Sequence, residues 1–441
     1  MAKGNDDLDK IISKIVKIVG GSNAEIDPKA PNRAIVRPRT SDDVCRIVKI
    51  ALKEGVPIVP NRHLIWAVED KYSDEHLLIN TLDMNGIFKI DEENLAVTVG
   101  PGVLWKDLYK ALLKRGYLIG AYPFSSIPTV GEWVDTGGGG IGSYGKGFAG
   151  DQVRTLEVVL PDGKVINTGF EKVLSNSSGY NLNGLFIGAE STLGIITKIT
   201  LKIFPKPEET RPLYYTFSEL KDTTEALRAL TKIKTTPMNI SFFSANHLQS
   251  LKMFRKDIPD LKGVVMNVTL TGLRSVVDHE EENIDAIMKG HNAIKVSSDI
   301  AKVLWRERFF EVPSTRAGIR PVFFEALIPA SKLYEMANGT YSLIGKIKQK
   351  AAIIGILCDR STVLLIPYLL SEKSSTKKSR MPAVFAQKYG ELVVKHGGRP
   401  IGTTMSLISG IKQVNGEELN TILDIKSAID PHDIMNPYRF I

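Results

Sequence analysis

TVGEWVDTGGGGIGSYGKGFAGD, residues 129–151, holds nine glycines, four of them consecutive from Gly137 to Gly140. Glycine has the largest backbone entropy cost on folding, so helix and strand both disfavour this composition. Such a run suits a place where something approaches the backbone closely, or where φ is positive. Bare N–H groups in a glycine loop can also cradle a phosphate. A long flexible surface loop has a similar composition. Here, however, Val130, Trp133, Val134 and Ile141 thread the run as they would not thread a linker.

Before this run the pattern is mixed. Residues 8–19 (LDKIISKIVKIV) place apolar side chains at helical spacing. Ala34 to Arg37 reads as a short strand. Thr40 or Ser41 can cap a helix with Val44, Ile47, Val48 and Ala51 on its apolar face, ending near Gly55. Val56 to Val59 reads as the next strand, so this β-α-β unit is expected to be parallel. Asp91–Asn94 marks a hairpin turn, and Leu104 to Arg115 a helix stopped by Gly116.

After the run, Val153 to Leu160 and Val165 to Thr168 flank an Asp162–Gly163 turn. Ser191 to Phe204 alternates like a strand, and Pro205 and Pro207 close the region. Beyond about residue 210, helical patterns (218–233, 276–289, 332–350, 382–396) alternate with strand-like pieces (239–244, 263–270, 322–328, 363–368). That texture predicts an α+β unit with an antiparallel sheet. KSSTKKSR, residues 373–380, reads as a solvated basic loop.

The chain has 441 residues, enough for two or three domains. Its 57 basic and 49 acidic residues are interspersed. No basic stretch carries interleaved aromatics, so nucleic-acid binding is not inferred. Two cysteines, Cys45 and Cys358, lie far apart, which argues against a disulfide framework and a cysteine metal site. The seven histidines show no metal-ligand spacing, so no metal is expected. No apolar run reaches transmembrane length and the N-terminus is too polar for a signal peptide. The expectation is a cytoplasmic protein, peripheral to a membrane at most through a partner.

Five stretches carry a family likeness in order and spacing. They are IVRPRTSDDVCRIVKIALKEGVPIVP, VTVGPGVLWKDLYKALLKRGY, PTVGEWVDTGGGGIGSYGKG, LEVVLPDGKVINTG and SSGYNLNGLFIGAESTLGIIT. Together they resemble the FAD-binding domain of the vanillyl-alcohol oxidase / p-cresol methylhydroxylase superfamily over roughly residues 25–207. HGGRPIG and IDPHDIMNP resemble the C-terminal return of its glycolate oxidase / D-lactate dehydrogenase branch. The resemblance implies an α+β protein: a two-lobed PCMH-type FAD-binding domain (1–207), an α+β cap with an antiparallel sheet (208–395), and a return onto the FAD domain (396–441).

It also implies non-covalent FAD, with the pyrophosphate on the backbone of two loops. Thr129, Val130, Gly131, Thr136, Gly137, Gly138, Gly139, Gly140, Ile141, Gly142 and Ser143 are the candidates from one loop. Glu190, Gly194, Ile195 and Ile196 come from the GAESTLGIIT block, and Asn436 from the tail. The other loop departs from the family. It reads NRHLIWAVED, with no glycine between Gly55 and Gly86, so Leu64, Ile65 and Trp66 stand where phosphate should meet bare backbone. Asn61 and Arg62 are then the candidate donors, and His63 is off the register used for covalent flavin.

The chemistry departs as well. The branch's clustered cap histidines and its Glu-His pair after HGG are missing. A hydride-transfer enzyme needs a base for the hydroxyl proton, and His396 is the best candidate by position. Arginine suits a substrate carboxylate. Arg306, Arg308, Arg316 and Arg320 cluster in WRERFFEVPSTRAGIRP, with Arg306 and Arg399 as the selected candidates, against surface ion pairing as the alternative. Tyr144 or Tyr180 is placed to reach the ring.

The expected function is an FAD-dependent oxidoreductase acting on a small 2-hydroxy acid or related alcohol. Its electrons would pass to another acceptor. Two cysteines fall short of an iron–sulfur cluster's four ligands, so such a cluster would come with a partner subunit. Two alternatives stay open. One is a flavin-poor or flavin-free subunit of a redox complex. The other is a non-redox flavoenzyme of the alkylglycerone-phosphate synthase type.

Overall fold

Thr40 starts the first ordered unit. Its side chain accepts the Asp43 amide while the Asp43 carboxylate accepts the Thr40 amide, a reciprocal cap on α2 (Ser41–Glu54). Gly55 ends that helix at φ 67°, a left-handed conformation that glycine takes without a Cβ penalty. With α1 (Asn5–Val19), α2 covers a four-stranded sheet of β1 (Ala24–Asp27), β2 (Ala30–Val36), β3 (Ile58–Pro60) and β4 (His76–Ile79). The sheet order is β1-β2-β4-β3. β2 and β3 are parallel as expected, but β4 lies between them and pairs with both. The computed structural model describes residues 5–28, 30–60, 75–125, 128–173, 179–253, 255, 257–308, 319–347, 350–372, 381–401 and 416–437.

A second sheet holds β5 (Ile87–Asp91), β6 (Ala96–Val99), β7 (Tyr117–Ile119), β8 (Val153–Val159), β9 (Val165–Gly169) and β10 (Ile195–Pro205). The Asp91 carboxylate accepts the Asn94 amide and makes the expected turn between β5 and β6. α3 (Trp105–Lys114) buries Trp105, Leu108 and Leu112. Trp105 stands edge-on to Trp133 of the glycine segment, ring centroids 5.0 Å apart. β10 is shorter than its alternating pattern suggests, because Ser191–Gly194 forms a turn.

The chain changes sheet at Pro205. The third sheet has nine strands in the order β14-β11-β13-β12-β17-β18-β16-β19, with β15 on β18. Its members are β11 (Glu209–Phe217), β12 (Asn239–Ser244), β13 (Val264–Gly272), β14 (Ile294–Lys295), β15 (Ile319–Phe323), β16 (Glu325–Pro329), β17 (Ala351–Leu357), β18 (Thr362–Glu372) and β19 (Arg399–Ile401). Every pairing within it is antiparallel.

This sheet is buried on both faces, and residue parity decides which. Ile240, Phe242, Met266, Val268, Ile353, Leu365 and Leu369 pack with the cap helices. Phe243, Val265, Ile354, Ile356, Leu364, Ile366 and Tyr368 belong to the core shared with the second sheet. Two buried faces remove the alternating polar signal, so β17 was not read from sequence. β19 pairs with β16 and thus belongs to the cap sheet. The helix Gly416–Ile429 leads back to the first lobes, where Ile58 bridges Met435 in parallel.

Candidate active site

The glycine segment links two clefts. Its first part forms α4 (Val130–Asp135), capped reciprocally by Thr129 and Glu132. Asp135, at the end of α4, accepts the Ser191 amide and hydroxyl, each at 2.8 Å. Those bonds hold a turn in which Gly188, Glu190, Ser191 and Gly194 all have positive φ. Non-glycine residues rarely adopt that region, and here two are consecutive. Asn436 closes the turn from the other side, donating from Nδ2 to the Glu190 carbonyl at 2.7 Å. Behind it, buried Lys426 bonds the Thr192 and Met435 carbonyls and the Asp430 carboxylate.

Around this turn lies the first cleft, about 400 Å³. Pro60, Ile79, Pro101, Ile195 and Ile196 give it aliphatic walls, and Thr81, Gly131, Glu132, Asp135 and Ser191 complete it. The second cleft, about 560 Å³, opens between Phe124 and Ile141 of the glycine lobe and the inner face of the cap sheet. Arg308 and His247 line it.

Arg308 donates from Nε to the Tyr122 hydroxyl at 3.1 Å and from Nη1 to the Trp305 carbonyl at 3.0 Å. Its guanidinium lies 4.7 Å from the Trp305 ring centroid and 5.2 Å from that of Tyr109. Burial pulls the Arg308 pKa down, but the neighbouring tyrosine oxygens outweigh it and raise it. His247 pairs its Nδ1 with the Tyr368 hydroxyl at 3.0 Å. Burial alone lowers the His247 pKa to about 3, so the imidazole is neutral at physiological pH.

A model of the FAD binding domain matches residues 32–169. The FAD linked oxidases, C-terminal domain, matches residues 206–440, more than half of the chain. The chain belongs to the FAD-linked oxidases. Glycolate oxidase subunit GlcD of Bacillus subtilis is 27% identical over 92% of this chain and 88% of its own length. D-lactate dehydrogenase of Anaerostipes hadrus is 26% identical over 93% of this chain and 89% of its own length. Alkyldihydroxyacetonephosphate synthase of Trypanosoma brucei brucei is 24% identical over 93% and 73%. The fold is that of p-cresol methylhydroxylase, with TM-score 0.80 at 18% identity over 100% of this chain and 97% of that one. The expected PCMH-type architecture is therefore the observed one.

FAD is this FAD-linked oxidase's cofactor, and the donor set tests how the chain would hold it. Several amides of the glycine run already have partners within the protein. The amides of Val130 and Gly131 bond the carbonyls of Val103 and Pro101, and those of Thr136, Gly137 and Gly138 bond carbonyls of α4. Gly140 and Ser143 bond each other. Glycine is needed there for main-chain contact: a Cβ on Gly140 would stand 2.2 Å from the Tyr122 carbonyl oxygen, and one on Gly142 2.1 Å from that of Gly120. The first cleft, with aliphatic walls beside the Thr81 and Ser191 hydroxyls, is one place where the chain could hold a flat base. Gly131, Ile195 and Ile196 of the expected set line it, and Glu190, Gly194 and Asn436 frame it. Asp135 and Ser191 were not anticipated, and only their position beside glycines hints at them.

Asn61, Arg62, His63, Leu64, Ile65, Trp66 and Arg316 lie outside the described residues, as does 373–380. Arg320 sits on β15 opposite Ser371. Arg306 is on the exposed side of α11 (Ser298–Arg306), paired with Asp257 at 2.5 Å and Glu307 at 3.1 Å. Of this arginine-rich segment, Arg308 lines the second cleft. Arg399 is exposed and faces Glu418 at 3.7 Å. His396 ends α13 (Met381–Lys395), bonding the Leu392 carbonyl at 2.8 Å, and lines neither cleft. Tyr180 is 94% exposed, and Tyr144 packs into the cap core. His247 had no sequence signal, since an isolated histidine in a helical stretch is usually structural. Among the described residues, no helix is long and apolar enough to cross a membrane.

Proposed function

We propose that this FAD-linked oxidase oxidises a small 2-hydroxy acid in the cleft between the glycine lobe and the cap. The observation that carries the reading is Arg308, a part-buried guanidinium held by Tyr122 in a cavity whose lining is mostly apolar apart from the polar groups of the cap and Glu307. A planar guanidinium recognises a carboxylate with two parallel hydrogen bonds, and low local dielectric strengthens them. Tyr109 and Trp305 keep it flat and oriented. Bound FAD supplies the hydride acceptor. As the carbinol C–H gives up hydride, the hydroxyl loses its proton, and the neutral imidazole of His247 stands on the cavity wall as a hydrogen-bonding group. The hydrogen bond to Tyr368 fixes the plane of the imidazole. Phe124, Ile141, Phe243, Leu304 and Ile354 exclude water from the reacting carbon.

The glycolate oxidase and D-lactate dehydrogenase relatives support the substrate class. We extend the reading to an electron acceptor outside this chain, carried by a partner subunit. The synthase relative supports a second reading, in which Arg308 holds a phosphorylated substrate and the flavin chemistry is not net oxidation. One experiment separates them. Purified holoprotein is mixed anaerobically with a panel of 2-hydroxy acids, and the oxidised-flavin absorbance is followed. Bleaching by at least one acid is expected. Retention of the oxidised spectrum with every acid overturns the oxidase reading.

A further inference from the structure

Besides Tyr214, His247, Glu307 and Arg308, the cap wall of the second cleft carries a polar stripe, Asn239 and Ser241 on β12 and Asn267 on β13. The stripe is ordered by a one-way chain of hydrogen bonds. The Leu213 carbonyl can only accept, so the Asn267 Nδ2 faces it, at 3.1 Å. That turns Asn267 Oδ1 toward Asn239, where it accepts Asn239 Nδ2 at 2.9 Å and the Thr269 hydroxyl at 3.1 Å. Asn239 Nδ2 also donates to the Ser241 hydroxyl oxygen at 3.0 Å. Flipping the Asn239 amide would set two acceptors against each other, so its orientation is determined by the network. What is left over is Asn239 Oδ1.

That oxygen is buried, on a residue 1% exposed, and has no hydrogen-bond partner among the described residues. A buried amide oxygen without a donor is costly, about 1–3 kcal/mol. Asn239 lines the cleft, and an unsatisfied buried polar atom calls for an explanation, of which a donor on a bound ligand is one.

We infer that Asn239 is the specificity-determining residue of this cleft, accepting a hydrogen bond from a hydroxyl of the ligand other than the one that is oxidised. The inference rests on the reading that the cleft binds small acids through Arg308. It narrows the substrate class to acids bearing a second hydroxyl, in preference to those ending in a methyl group. The discrimination follows from an asymmetry: a site built to receive a donor rejects the analogue lacking it, because its own polar atom is then left unpaired.

The test uses holoprotein and two acids without a 2-hydroxyl, 3-hydroxypropanoate and propanoate, which differ by one hydroxyl. Binding is followed by tryptophan fluorescence, Trp305 being in the wall. Wild type is expected to bind 3-hydroxypropanoate at least tenfold more tightly. In Asn239→Leu that ratio should fall to about one, while Thr269 still donates to Asn267. Equal affinities in wild type overturn the inference, as does a ratio that survives in Asn239→Leu. If the variant does not fold, the wild-type ratio alone decides. Bleaching by a 2-hydroxy acid together with equal affinities sinks the inference and leaves the oxidase reading standing. No bleaching with a preserved tenfold ratio sinks the oxidase reading and supports Asn239.

Discussion

Asn436 donates from Nδ2 to the carbonyl of Glu190 at 2.7 Å, joining residues 246 apart in sequence. Both have left-handed backbone, φ 45° at Asn436 and 53° at Glu190. The Asn436 amide also bonds the Ile58 carbonyl at 2.8 Å. One residue thus ties the tail to the first sheet and to the strained turn beside the first cleft. Removing its side chain strands a buried carbonyl, at a cost of about 1–3 kcal/mol. Asn436→Ala is expected to weaken FAD about tenfold in a fluorescence titration and to lower the urea midpoint. Asn436→Gly keeps the backbone geometry without strain, so it isolates the side-chain bond. FAD affinity unchanged in both variants would remove the turn from cofactor binding.

The glycine run makes main-chain contacts, and this is testable without flavin. Gly140→Ala would drive a Cβ against the Tyr122 carbonyl. Overpacking of this kind costs about 1–3 kcal/mol. The apoprotein itself should lose that stability. A variant normal as apoprotein but defective in binding FAD would restore the phosphate-cradle account.

Arg306 and Arg308 differ by two positions and by their surroundings. Arg308→Ala should lower kcat/KM for a 2-hydroxy acid by about a hundredfold, equivalent to about 2.7 kcal/mol. Arg308→Lys should recover little of it, because an ammonium lacks the planar fork. Arg306→Ala removes ion pairs whose arginine end is exposed to solvent, and such pairs contribute little. Its kcat/KM should stay within about twofold of wild type. Equal losses in the two alanine variants would dismiss Arg308 as the anion site.

Lys426 and Asp430 form a buried pair, with side chains 11% and 0% exposed. Asp430 also accepts the amides of Ile434 and Met435, which sets the approach to Asn436. Lys426→Met leaves a buried carboxylate uncompensated, a cost of about 3–5 kcal/mol. The double variant Lys426→Met/Asp430→Leu should cost less in charge burial but still lose FAD, since the tail is no longer aligned. Urea unfolding and flavin retention on gel filtration measure the two effects separately.

His247, which is buried, and Glu325, which is half-buried, give opposite pH dependences. His247 falls from 6.5 to about 3 through burial, so the unfolded chain binds more protons between those values. Its contribution is fully present above pH 6.5 and is lost as pH falls, at up to about 1.4 kcal/mol per pH unit. Glu325 rises from 4.5 to about 7, also through burial, so the folded chain binds more protons there. Its contribution is present below pH 4.5 and is lost as pH rises to 7. The slopes oppose each other between pH 4.5 and 6.5. His247→Gln should leave stability falling as pH rises through that window, and Glu325→Gln should leave it rising. Melting curves across pH 4–8 check both signs.

Local chemistry was legible in the residues themselves. Thr40 and Asp43 cap a helix, Gly55 stops it, and Asp91 turns a hairpin, because each depends on atoms a few residues apart. The order of motifs was likewise enough to indicate two FAD lobes and an antiparallel cap. The insertion of β4 between β2 and β3 was not legible, since sheet order is set by long-range pairing. Nor was the exchange of Arg306 for Arg308. Two residues at the end of a helix point in different directions, and only the packing of the cap against Tyr122 decides which meets the cavity. What Gly140 and Gly142 stand against was decided the same way: composition records the absence of a Cβ, whereas only the fold brings the carbonyls of Tyr122 and Gly120 against them.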